Sequence, residues 1–198
     1  MARDRERAAL DRKKAAEDRA IAAVDRREAA RERAEAVRFR TESADKWALA
    51  AIDELTGARI RAIGLDELAN ELARTRRSKS RFVLAFVDVD GLKEVNDSRG
   101  HLAGDELLRL VGVMLRANLR PYDLIVRYGG DEFLCAMPNL EVPRARVRFE
   151  QIATALSLAD PEHSISFGLA DKASPDETLA AVIGRADASM LETRRPGL

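Results

Sequence analysis

The sequence predicts an α/β sandwich, a mixed central sheet flanked by helices, preceded by one long N-terminal α-helix. Three features point there. Residues 1–48 contain neither Gly nor Pro and consist mostly of Ala, Arg, Glu and Asp. The run 82–87 is continuously apolar, rich in β-branched and aromatic residues, and is followed by Asp88, the pattern of a strand buried on both faces. Helical and strand-like apolar patterns then alternate to the C-terminus, as one layered domain requires.

Composition sets the outer bounds. The 198 residues suffice for one domain (49–198) and an appendage (1–48). Charge is high but balanced, with 34 Lys+Arg against 34 Asp+Glu, so no net field recruits nucleic acid or an anionic membrane. The single cysteine, Cys135, excludes an internal disulfide and sits in an apolar run, where it reads as a small core residue. No apolar stretch approaches the ~20 residues of a membrane span, and the N-terminus has no apolar signal core. The expectation is a soluble cytoplasmic protein.

The N-terminal region repeats. Ala8-Ala9, Ala15-Ala16, Ala22-Ala23, Ala29-Ala30 and Ala36-Val37 recur every seven residues. Alanine favours helix, and opposite charges three and four apart reinforce it. A continuous helix of roughly 70 Å is expected. The heptad period suggests a left-handed coiled coil with a thin Ala seam, aided by Leu10, Ile21, Val24 and Phe39. An isolated charged helix is the alternative, since Ala knobs bury little. Interleaved acids argue against nucleic acid on this helix.

Leu49, Ile52 and Leu55 then lead into a helix stop at Thr56-Gly57. Helices are predicted over 65–76, 103–119, 143–156 and 175–193. Strands are predicted over 82–87, 124–128, 132–137 and 164–170, with Gly129-Gly130-Asp131 turning a hairpin.

Polar groups gather beside the strand ends. Asp88, Asp90 and Lys93, with Asn96 and Asp97, follow the buried strand. Carboxylates there are hard to explain as packing; as hard oxygen donors beside a lysine they suit Mg²⁺ and the phosphates it carries. A helix N-cap by Asp90 is the local alternative. At the hairpin, Gly129 and Gly130 allow a ligand close to the backbone, and Asp131 and Glu132 follow at once. Facing Asp88, these acids could complete a metal site.

The string Asp88-x-Asp90-x-x-Lys93-x-x-Asn96-Asp97-x-x-Gly100-His101-x-x-Gly104-Asp105, followed by Arg127-Tyr128-Gly129-Gly130-Asp131-Glu132-Phe133, closely resembles the GGDEF family of diguanylate cyclases. Asp53-x-Leu55-Thr56-Gly57 looks like that family's opening motif, and residues 164–170 like its late strand. The resemblance covers about residues 53–194. It implies a nucleotidyl-cyclase or palm-like sheet and a homodimer that condenses two GTP into cyclic di-GMP. Asp88, the Val89 carbonyl and Asp131 would hold two Mg²⁺ (or Mn²⁺) per active site. Lys93 would meet a phosphate, and Asn96 and Asp105 would read guanine. Leu92, Gly129 and Gly130 would line the substrate, and Glu132 would assist metal binding or deprotonation. Turn formation by Asn96 and a first-turn helix charge at Asp105 are their local alternatives; His101 reads as a packing residue.

Arg120-Pro121-Tyr122-Asp123 resembles the family's inhibitory product site, since Arg can hold guanine O6 and N7 together. A plain i,i+3 ion pair would have the same spelling. Three departures stand out: Ile60-Arg61 where an Asn-Arg pair is usual, Leu191 in place of a Tyr, and a blurred phosphate grip. In that grip Arg194 takes the Lys position, Leu198 takes the Arg position, and Arg195 is a possible substitute. A weaker hold on phosphate is the consequence. The rival readings are an inactive GGDEF module that senses cyclic di-GMP or GTP, and a scaffold whose working part is the coiled coil. Intact Asp88, Asp131 and Glu132 argue against the first.

Overall fold

In the computed structural model of the chain, Arg31, residues 51–174 and residues 176–194 are described, Arg194 without its side chain. The expected helical stalk, its heptad seam and its coiled coil lie outside the described residues, apart from Arg31, which is helical.

Five strands form one sheet in the order β1-β3-β4-β2-β5: β1 (Arg59–Ile60), β2 (Phe82–Asp90), β3 (Leu124–Arg127), β4 (Glu132–Pro138) and β5 (Ser164–Asp171). β1 runs parallel to β3, and the remaining pairs are antiparallel. The five described helices are α1 (Arg61–Arg77), α2 (Leu92–Arg99), α3 (His101–Asn118), α4 (Val142–Ala159) and α5 (Leu179–Arg194).

β2 explains the layering. Val83, Ala85, Val87 and Val89 point to one face and pack with Leu107, Val111 and Leu115 of α3 and Phe149, Ile152 and Leu156 of α4. Phe82, Leu84 and Phe86 point to the other, against Leu68 and Leu72 of α1 and Val182, Ala186 and Met190 of α5. Alternation along a strand therefore feeds two cores at once. Cys135 is fully buried in the α3/α4 core, and burial pushes its thiol far up. Among the described residues no helix is long and apolar enough to cross a membrane.

Three expectations need correction. Residues 51–57 are not a helix end: Ile52 bridges to Arg59, and Gly57 N–H donates to Asp53 O at 2.7 Å, a turn ahead of β1. The polar segment after β2, where no helix was predicted, contains α2, an eight-residue helix with no fully buried residue. Its Leu92 and Val95 reach the core from three positions apart, too little apolar signal to stand out among Lys93, Glu94, Asn96, Asp97, Ser98 and Arg99. Helix α5 begins at Leu179, later than expected, where Thr178 Oγ1 accepts from Ala181 N–H at 3.3 Å as an N-cap does.

Candidate active site

Strand direction gathers the site. The C-terminal ends of β1, β3 and β2 and the N-terminal ends of β4 and β5 share one sheet edge, because β1 parallels β3 and the other pairings are antiparallel. Every chemistry-bearing segment of the resemblance except the Arg120–Asp123 stretch falls on or runs to that edge; Thr193, near the end of α5, lies with Ile165, Ser166 and Phe167 at the start of β5.

Asp88 and Glu132 are direct cross-strand partners on the face shared with Phe86 and Leu134. Val89 N–H donates to Asp131 O at 3.0 Å, tying the hairpin tip to the end of β2. At the tip, Tyr128 and Gly129 N–H both donate to Glu132 O, at 2.8 and 3.2 Å. A β-carbon on Gly129 would fall 2.4 Å from Glu132 Oε2, so a larger residue there would push the carboxylate from its present place. Asp90 has a different task from either expectation. It accepts from Ser164 Oγ at 2.8 Å and Ser166 Oγ at 2.7 Å and clamps β5 to β2, while Gly91 occupies the N-cap position of α2.

Arg127 braces the tip from behind. Its Nη2 donates to Gly130 O at 2.8 Å, and its Nη1 lies 3.2 Å from both carboxylate oxygens of Asp53. Asp53 also accepts from Thr56 N–H (2.9 Å) and Thr56 Oγ1 (2.6 Å). Burial alone would raise the Asp53 carboxyl, but the Thr56 bonds and Arg127 outweigh it and hold it below the usual carboxylate range.

Glu132 shows the opposite balance. Burial pushes its carboxyl up, and the neighbouring charges of Asp131, Asp88 and Asp187 push further, with Arg61 opposing them. Asp187, on α5, was not singled out by the sequence. Its signal was an acid beside the buried Ala186 and one turn from Met190, within an otherwise apolar stripe.

On the flank beyond β2, α2 and α3 meet across Gly104. A β-carbon there would fall 2.1 Å from Asn96 Oδ1, so the missing side chain lets Asn96 lie beside the residue that precedes Asp105, the other expected guanine reader. Lys93 is exposed at the start of α2, and Leu92 is partly in the core. His101, expected to pack, is exposed at the first position of α3.

A family model described as "Diguanylate cyclase, GGDEF domain" matches residues 50–197. The chain belongs to the GGDEF family. It is 34% identical over 166 residues to diguanylate cyclase DgcP of Pseudomonas aeruginosa, covering 80% of this chain and 25% of that protein. It is 35% identical over 152 residues to diguanylate cyclase DgcZ of Escherichia coli, covering 74% and 51%. The chain therefore spans between a quarter and about half of these relatives. The crystal structure of the coiled coil and GGDEF domain of DgcB from Caulobacter crescentus, in complex with c-di-GMP, superposes with a TM-score of 0.75 at 28% identity. It covers 85% of this chain and 93% of that one.

The acidic edge of this GGDEF domain fits a divalent cation. Like charges crowd around Glu132 with little compensation, a repulsion that a cation relieves. Among the described residues no three acidic, His or Cys side chains form a ready-made cage.

The Arg120–Asp123 stretch lies at the far end of β3. Arg120 N–H donates to Asp123 Oδ2 at 2.8 Å, and Asp123 N–H returns a bond to Arg120 O at 2.9 Å. In place of the plain i,i+3 ion pair, the alternative for this stretch, the two residues close a turn that leaves the guanidinium to reach Tyr122, 5.6 Å from its ring centroid. Asp123 Oδ1 is buried and has no partner among the described residues. Burial raises the Asp123 carboxyl, and the Arg120 N–H with the charges of Arg120 and Arg148 works against that. Beside it opens a cavity of about 420 Å³ lined by Arg59, Arg116, Arg120 and Asp123. Arg194 closes α5, while Arg195 and Leu198 lie outside the described residues.

Proposed function

We propose that this chain is a cytoplasmic diguanylate cyclase that condenses two GTP into cyclic di-GMP and two pyrophosphates, acting as a homodimer and inhibited by its product. The observation that carries the reading is the pairing of Asp88 with Glu132 beside Asp131, under a hairpin tip whose Gly130 leaves the backbone open to a ligand.

Asp88, the Val89 carbonyl and Asp131 would hold two Mg²⁺ or Mn²⁺ ions. When bound, such ions neutralise charge on the attacking and leaving oxygens of an in-line phosphoryl displacement. Asn96 and Asp105 orient the guanine, Asp105 by accepting from its N1 and N2 hydrogens. Leu92, Gly129 and Gly130 line the nucleotide, and Lys93 and Arg194 meet its phosphates. Glu132, whose carboxyl titrates above its ordinary value, suits the removal of a proton from the ribose 3′-hydroxyl.

One domain holds one GTP, so two must face each other, each nucleophile aimed at the other's α-phosphorus. A coiled-coil stalk over residues 1–48 would keep the second copy close; the matched DgcB structure likewise joins a coiled coil to its GGDEF domain. The arginine-lined cavity with its unsatisfied Asp123 oxygen favours cyclic di-GMP as the ligand of the Arg120 site. The purified chain, incubated with GTP and Mg²⁺ and resolved by chromatography, should yield cyclic di-GMP and pyrophosphate in a 1:2 ratio. Binding of cyclic di-GMP without any synthesis would assign the sensor role instead.

A further inference from the structure

Arg61 is a cation that the fold itself fixes at the acidic edge. Ile60 pairs with Arg127 across β1 and β3, which sets the next residue beside Tyr128. There Arg61 Nη1 donates to Tyr128 O at 3.3 Å, and its guanidinium carbon lies 4.2 Å from the centroid of the Tyr128 ring. The ring is held in turn by an edge-on contact with Phe86, centroids 5.9 Å apart. An exposed stack of this kind adds little stability. It does restrain a long side chain, so less freedom is lost when the guanidinium binds something else. One of its five N–H donors is committed to Tyr128 O; a planar fork of donors is suited to phosphate.

The strand order adds direction. With β1 and β3 on one side and α2 leaving β2 on the other, Arg61 and Lys93 flank the acids of β4 and β2. An anion lying along this edge passes between two cations.

We propose that Arg61, braced on Tyr128, binds the polyphosphate of the nucleotide. This rests on the nucleotide reading above and gives a role to Arg61, to which the resemblance assigned none. Its test is calorimetric titration, in Mg²⁺, with 3′-deoxy-GTP, which lacks the reacting hydroxyl, and with guanosine followed by competition. Arg61→Ala should weaken the triphosphate about tenfold or more and leave guanosine unchanged. Arg61→Gln, which keeps a donor for the Tyr128 carbonyl but no charge, should show the same selective loss; Arg61→Lys should recover part of it. Unchanged triphosphate affinity in the Ala and Gln variants overturns the proposal while leaving the nucleotide reading intact. An equal loss for both ligands, with a lowered melting temperature, reduces Arg61 to a brace for Tyr128 and also overturns it. A wild-type chain that binds neither ligand overturns the nucleotide reading itself.

Discussion

The two ends of β3 lie roughly 10 Å apart along four residues, yet they are electrostatic opposites. Beyond Arg127, carboxylates crowd one another: Asp131, Asp88 and Asp187 all add to the pressure of burial on Glu132. Before Leu124, arginines surround a single buried aspartate, and the charges of Arg120 and Arg148 work against burial at Asp123. Burial raises both carboxyls, but the neighbouring charges act in opposite directions. At the acidic end Arg61 offsets the crowded carboxylates only in part, and metal ions arriving with a triphosphate would relieve the rest. The arginine end already has cations and offers donors and one spare acceptor, which suits an anionic guanine nucleotide. Under the proposed function, a single strand separates a place for chemistry from a place for recognition.

The severest way to break this contrast is Asp131→Ala. Loss of a charged metal ligand should remove several kcal/mol of transition-state stabilisation, about a thousandfold or more in turnover, while binding of cyclic di-GMP at the far end persists. Calorimetry with cyclic di-GMP alongside a rate assay checks both halves. Undiminished turnover would take Asp131 out of the mechanism.

At the arginine end, Arg120→Ala should weaken cyclic di-GMP by about tenfold to a hundredfold, as expected for a desolvated bidentate contact, and leave the initial rate alone. Equal affinity of the two proteins would remove Arg120 from the product site.

A third outcome asks whether the acidic end works alone. A variant lacking residues 1–45 should keep GTP binding but lose specific activity steeply on dilution, while the full chain holds its activity to lower concentration. Superimposed dilution curves would show that the stalk does not drive pairing.

The smallest effect concerns Glu132. Its carboxyl titrates higher folded than unfolded, so stability falls as pH rises from the ordinary glutamate range through the raised value. In metal-free buffer at neutral pH, Glu132→Gln should melt higher by a few degrees at most, on the order of 1–3 °C. Below the ordinary glutamate value of about 4.3 the gain should vanish. A variant that melts lower at neutral pH would contradict the like-charge crowding.

Sequence reading reached what repeats along the chain. β2 was legible because an unbroken apolar run from Phe82 to Val87, too short for a helix and rich in Val and Phe, fits a strand buried on both faces. Its carboxylate end followed from the same run. The hairpin was legible from its Gly-Gly turn. What escaped was set by partners distant in sequence. Helix α2 owes its form to two side chains reaching the core, and β1 is two residues long. The Asp90 clamp depends on serines more than seventy residues away. Asp187 and Arg61 gain meaning only because α5 and β1 bring them to Glu132. Periodicity carries no information about such meetings.

The division between the two ends is tested most directly by progress curves for cyclic di-GMP synthesis, run side by side on the wild-type chain, Arg120→Ala and Asp131→Ala. The wild type should start quickly and slow as product accumulates. Arg120→Ala should start at the same rate and stay linear, and Asp131→Ala should stay at the baseline. An Arg120→Ala curve that bends like the wild type, or an Asp131→Ala curve that rises with it, would contradict the account.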